Sequence, residues 1–154
     1  MFKQITIAFV LMTTVVIPCT ATRTETKPNE NIIIGTLSPD AGNDLAHTAC
    51  MLSRSGKTDA SNVEYIEGAY CPLGAKECDY YAVMKLNGVE TRLKQVISSE
   101  HSAAYSNGDI TLNAQQTRIH PETADDEGSD YKFVMMIKTK GVEKRVEMEG
   151  YCGE

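Results

Sequence analysis

No stretch of the sequence carries apolar residues at a helical period over a useful length, and there is no internal repeat or low-complexity tract. An all-β chain is what remains. Lysines and arginines are scattered rather than clustered, which excludes a nucleic-acid-binding face. The apolar run Ile5 to Ile17 is too short to cross a bilayer, which needs about 20 apolar residues, so no transmembrane span is expected in the mature chain.

The marks of catalysis and metal binding are equally sparse. There is no G-x-S-x-G elbow and no other nucleophile motif. The three histidines, His47, His101 and His120, fall in different predicted loops or strand ends. His47-x-x-Cys50 with Cys71 and Cys78 lacks the spacing of a paired zinc knuckle. Asp125, Asp126, Glu127, Gly128 and Asp130 could offer oxygen ligands to calcium, but not in the EF-hand pattern. Acidic residues elsewhere sit in turn-rich loops or at outward strand positions such as Glu143, Glu147 and Glu149. A strand's wet face is the reading there, not a pair of glycosidase carboxylates. No catalytic residue, metal or cofactor is expected.

What is present begins with an export signal. Lys3 precedes the apolar run, Pro18 breaks it, and Ala21 is a small residue at a cleavage position. Residues 1–21 are read as a removed secretory peptide and the protein as periplasmic or secreted. Anchoring through an acylated Cys19 is the other processing route; Pro18 is unfavourable before such a cysteine. Either route leaves Cys50, Cys71, Cys78 and Cys152. Four cysteines in an exported chain suggest two disulfides and allow three connectivities. The preferred pairs are Cys71–Cys78, closing the short loop CPLGAKEC, and Cys50–Cys152, joining the two ends of the domain. The formal charge of −6 becomes −7 when Lys3 is lost, which makes the chain soluble and favours a basic partner through steering.

The clearest folding signal is Tyr80 to Gln95. Tyr80, Ala82, Met84 and Leu86 alternate with Tyr81, Val83 and Lys85, Asn87-Gly88 suits a type I′ turn, and Val89, Thr91 and Leu93 return. Strands are also predicted around Ala49–Arg54, Val63–Tyr70, Ile110–Gln115, Tyr131–Ile137 and Val142–Cys152, with a turn at Lys140-Gly141. Lys144 breaks the inward set of the last strand and is expected at its exposed middle. Val96–Tyr105 is less periodic and reads as a strand running into a loop. Residues 22–45 are assigned to a flexible leader, with the run Asn31-Ile32-Ile33-Ile34-Gly35 as a candidate edge strand. Residues 46–154 form one antiparallel β-domain of seven or eight strands, a barrel or sandwich.

Leu93 to Gly108, LKQVISSEHSAAYSNG, resembles a segment of the periplasmic and membrane-bound inhibitors of c-type lysozyme. Those are small exported antiparallel β-barrels whose signature loop carries a serine, then a glycine, with a tyrosine four residues after the serine. Here Tyr105 matches the tyrosine, but His101 stands at the serine and Ser102 at the glycine, and no aromatic-rich strand with a Lys-Gly pair follows. The resemblance implies a non-catalytic binder of a protein, in particular of a cell-wall hydrolase such as lysozyme. Its recognition surface would be the loop Ser98 to Asn107, since loops on a rigid sheet carry binding. Ser98, Ser99, His101 and Ser102 would meet the partner, with Tyr105 packed beneath. The alternatives are a small envelope hydrolase using His101 with a nearby serine, and a structural envelope domain.

Overall fold

A computed structural model describes residues 31–57, 59, 61–120 and 128–153. The expected export signal, residues 1–21, and the acidic run 121–127 lie outside them. Nine strands follow in chain order: β1 (Ile34–Gly35), β2 (His47–Ser53), β3 (Tyr65–Tyr70), β4 (Asp79–Leu86), β5 (Val89–Ser99), β6 (Ser102–Ser106), β7 (Ile110–Arg118), β8 (Gly128–Thr139) and β9 (Val142–Gly153). Each strand from β2 to β9 pairs antiparallel with its successor, and β9 pairs back onto β2. The result is a closed eight-stranded up-and-down barrel, with β1 added beside the end of β4.

Local sequence accounts for the two best-defined hairpins. Asn87 and Gly88 have φ of 52° and 83°, and Lys140 and Gly141 have 45° and 83°. Both pairs therefore adopt the left-handed geometry whose twist matches the flanking strands. On β4, Ala82, Met84 and Leu86 point into the barrel with Leu93 of β5. Leu112 and Ala114 of β7, Phe133, Met135 and Ile137 of β8, and Val146 and Met148 of β9 complete the same interior. Side chains fill it, the largest being Tyr65, Tyr105 and Phe133.

Both expected disulfides are present, Cys50–Cys152 and Cys71–Cys78. The first has a clear structural place. The seam that closes the barrel is the β2–β9 ladder, with only four residue pairs, Cys50↔Cys152 through Ser53↔Glu149. The adjoining β8–β9 ladder has twelve. The bridge thus locks the barrel where its hydrogen bonding is sparsest.

Two expectations change. Residues 32–45, assigned to a leader, belong to the folded unit. Ile32 and Ile34 are buried among the barrel side chains, while Leu37 and Leu45 join Val63, Ile66 and Val83 in a second, outer cluster. Backbone bonds fix the segment, Leu37 N–H to Val63 O at 2.8 Å and Asn87 N–H to Ile33 O at 2.8 Å, and Arg92 pairs with Asp44. Lys144 is not at an exposed mid-strand position. Its ladder partner is Ile137, an interior residue, and its ammonium donates to Ile32 O at 2.6 Å. The stem lies half-buried while the charge finds a carbonyl.

One polar cluster beside that segment makes stability depend on pH. Glu64 is buried and accepts from the Arg54 backbone N–H at 2.8 Å and from its guanidinium, which also donates to Ile34 O at 3.1 Å. Burial alone would raise the Glu64 carboxyl, but the bonds and charge of Arg54 outweigh it and hold the pKa below the usual value. A carboxyl with a depressed folded pKa stabilises above its unfolded pKa, and the contribution is lost as pH falls through the folded value. Glu64→Gln is therefore expected to flatten the fall of the urea midpoint between neutral pH and the acid range. An unchanged acid limb in the variant would assign that fall to other carboxylates.

Candidate functional site

The segment expected as a loop from Ser98 to Asn107 is mostly paired strand. Ser98 and Ser99 end β5, Ser102 to Ser106 form β6, and only Glu100 and His101 make the turn between them. A β-bulge hides this in the sequence. The β5–β6 register shifts between Gln95 and Ile97, so the apolar neighbours Val96 and Ile97 are both exposed and the alternation breaks. On β6 the period is intact, with Ala103 packed against the core and Tyr105 inside it.

The hairpin tip is tied to the end of β7. Gln116 N–H donates to His101 O at 2.9 Å, and its side-chain amide donates to Glu100 O at 3.0 Å. Beside the tip lies a notch of about 450 Å³ lined by His101, Ser102, Gln115, Gln116, Thr117 and Arg118. Arg118 Nε donates to the Tyr131 hydroxyl at 3.0 Å, and its guanidinium lies 5.4 Å from the centre of that ring. The lining is an imidazole, two hydroxyls, two amides and a guanidinium, which suits polar recognition and holds no apolar anchor.

Of the five residues singled out from sequence, Ser98, Ser99 and His101 are exposed and Ser102 is half-exposed at the notch. The His101 side chain is 77% exposed, with its Nε2 3.7 Å from Glu100 Oε1. The Ser99 and Ser102 hydroxyls are 2.8 Å apart and engage each other rather than His101. Glu100, the acid near the imidazole, is itself exposed, unlike the buried orienting carboxylate of a serine–histidine hydrolase.

Tyr105 is placed inside the barrel, 1% exposed, where it supports the hairpin and cannot touch a partner. Gln95 Nε2 lies 3.4 Å from its hydroxyl. The neighbouring Tyr65 donates to Glu67 Oε2 at 2.9 Å. Burial first, and the Glu67 charge second, push both phenols far above their ordinary pKa, so both remain neutral. The base of the hairpin is thus braced from within by a tyrosine–glutamate cluster.

Gln115 to Arg118 were not singled out from sequence. The available signal was modest: the inward series Ile110, Leu112, Ala114 continues as Gln116 and Arg118, and apolar gives way to polar as β7 reaches the rim. Among the described residues no group of three or more His, Cys, Asp or Glu side chains could hold a metal, and no helix is long and apolar enough to cross a membrane. Comparison with protein-family models, with curated proteins and with solved structures gives no match.

Proposed function

We propose that this chain is an exported, non-catalytic protein-binding module that acts through the rim formed by the β5–β6 hairpin and the notch beside it. The target class is a cell-wall hydrolase, and c-type lysozyme is the first to test. The observation that carries the reading is the short hairpin tip, with the His101 side chain exposed while Gln116 holds the tip's backbone by one bond to His101 O and one to Glu100 O. A tip ordered before binding loses little entropy when it docks. The two disulfides are compatible with a location outside the cytoplasm. The net acidic chain would draw a basic partner.

The test is the activity of c-type lysozyme on cell-wall substrate with micromolar protein added. Wild-type protein is expected to suppress it, and the double variant His101→Ala/Ser102→Ala to restore it with an unchanged thermal melt. Full lysozyme activity in the presence of wild-type protein would remove lysozyme as the target.

A further inference from the structure

The other flank of the same hairpin is an open strand edge. The β4–β5 ladder ends at Tyr81↔Lys94. Continued by one step it would oppose Tyr80 to Gln95, but Asp79 and Tyr80 pair only with β3. Beyond Lys94, β5 runs on through Gln95–Ser99 with β6 on one side and no strand on the other among the described residues. The bulge explains the parting, because an extra residue bends the strand and turns the hairpin away from β4.

This edge lacks the usual protection. Open edges normally carry lysine, other charges or proline. Gln95-Val96-Ile97-Ser98-Ser99 has none, and Val96 and Ile97 are 61% and 67% exposed. The free backbone groups can be placed. Val96 has no opposite residue on β6, since the register passes from Gln95↔Tyr105 to Ile97↔Ala104. Ser99 and Ser102 flank a two-residue turn, and such a pair bonds across the hairpin. Alternation then directs the N–H and C=O of Ser98 outward.

We propose that this edge pairs antiparallel with the same edge of a second copy, about a two-fold axis at Ile97. In that register Val96, which β6 leaves without an opposite residue, faces Ser98 of the second copy, whose N–H and C=O point outward. Ile97 meets its own counterpart. Lys94, the last residue of β5 that β4 covers, comes beside Glu100 of the second copy at both ends, the two charges that bound the neutral stretch being opposite in sign. Lys94 already lies 2.8 Å from Asp79, so the incoming carboxylate completes an acid–lysine–acid arrangement. A self-complementary strand satisfies a two-fold interface, in which every contact is made twice. The notch lies on the β7 side of the hairpin and the open edge on the β4 side, so this pairing does not depend on the hydrolase reading.

Sedimentation velocity of the mature protein, from micromolar to submillimolar, tests it. A concentration-dependent dimer is expected. Ile97→Lys places two like charges face to face and should give a monomer. Lys94→Glu or Glu100→Lys alone opposes like charges at both ends and should weaken the dimer roughly tenfold. The combined reversal Lys94→Glu/Glu100→Lys should restore it, which a folding defect could not do. A wild-type monomer at every concentration overturns the proposal. So does a dimer indifferent to Ile97→Lys, or a combined reversal no tighter than the single ones.

Discussion

Tyr105→Ala is expected to lower the unfolding free energy by about 3–5 kcal/mol, the range for deleting a fully buried aromatic side chain. Tyr105 is 1% exposed, and its ring stands in the barrel beside Leu112, its ladder partner on β7. Its removal leaves a cavity in a closed barrel whose walls are held by continuous ladders and cannot collapse readily. The loss should appear as a lower denaturant midpoint with little change in slope. Tyr105→Phe keeps the ring and removes only the hydroxyl from the cluster with Glu67 and Gln95. It should cost about 1 kcal/mol, the net value of an ordinary hydrogen bond. Because this ring braces the base of the hairpin that carries the tip, Tyr105→Ala should also weaken partner binding, while Tyr105→Phe should not. Equal destabilisation by the two variants would place the energy in the hydroxyl cluster rather than in the packed ring.

The second large effect concerns the seam. Replacing Cys50 and Cys152 by alanine releases a cross-link between residues 102 apart in sequence. Chain entropy assigns such a bridge about 4–5 kcal/mol, and about 2–3 kcal/mol to the Cys71–Cys78 bridge across a separation of seven. The structure widens the gap. Cys50 is buried in the main core and its bridge lies on the four-pair ladder that closes the barrel, whereas the loop after Cys71 is exposed. The Cys50→Ala/Cys152→Ala protein should therefore melt well below the Cys71→Ala/Cys78→Ala protein. Hydrogen exchange should show earliest opening at β2 and the end of β9. Equal melting temperatures would mean that closure of the barrel does not rest on the staple.

What could be read from sequence depended on whether the local pattern survived in the fold. The Asn87-Gly88 and Lys140-Gly141 turns left the two-residue alternation intact on both sides, and those hairpins were legible. Cys152 could be placed because it shares parity with Val146, Met148 and Gly150. Val96 shows the opposite case. One extra residue shifted the register, and two adjacent strands looked like a loop. In the 32–45 segment the edge strand in the run Asn31–Gly35 was anticipated, but the rest was missed for another reason. Its anchors Ile32, Ile34, Leu37 and Leu45 are spaced around a turn-rich stretch with no single period, and its placement depends on the distant partners Val63, Asn87 and Arg92. Lys144 looked outward because it is charged, but its amine reaches a carbonyl at the end of the barrel. His101 and Ser102 were found through the resemblance. Gln115 to Arg118 complete their notch only when β7 is brought beside β6.

The most direct measurement is site-specific photo-crosslinking of the mature protein in envelope extract. One probe replaces His101 at the hairpin tip, and a control replaces Arg145 on the outer face of β9. The expected result is a discrete adduct from position 101, containing a protein other than a second copy of this chain, with none from position 145. No adduct from position 101, or the same adducts from both positions, would contradict a binding role for this rim.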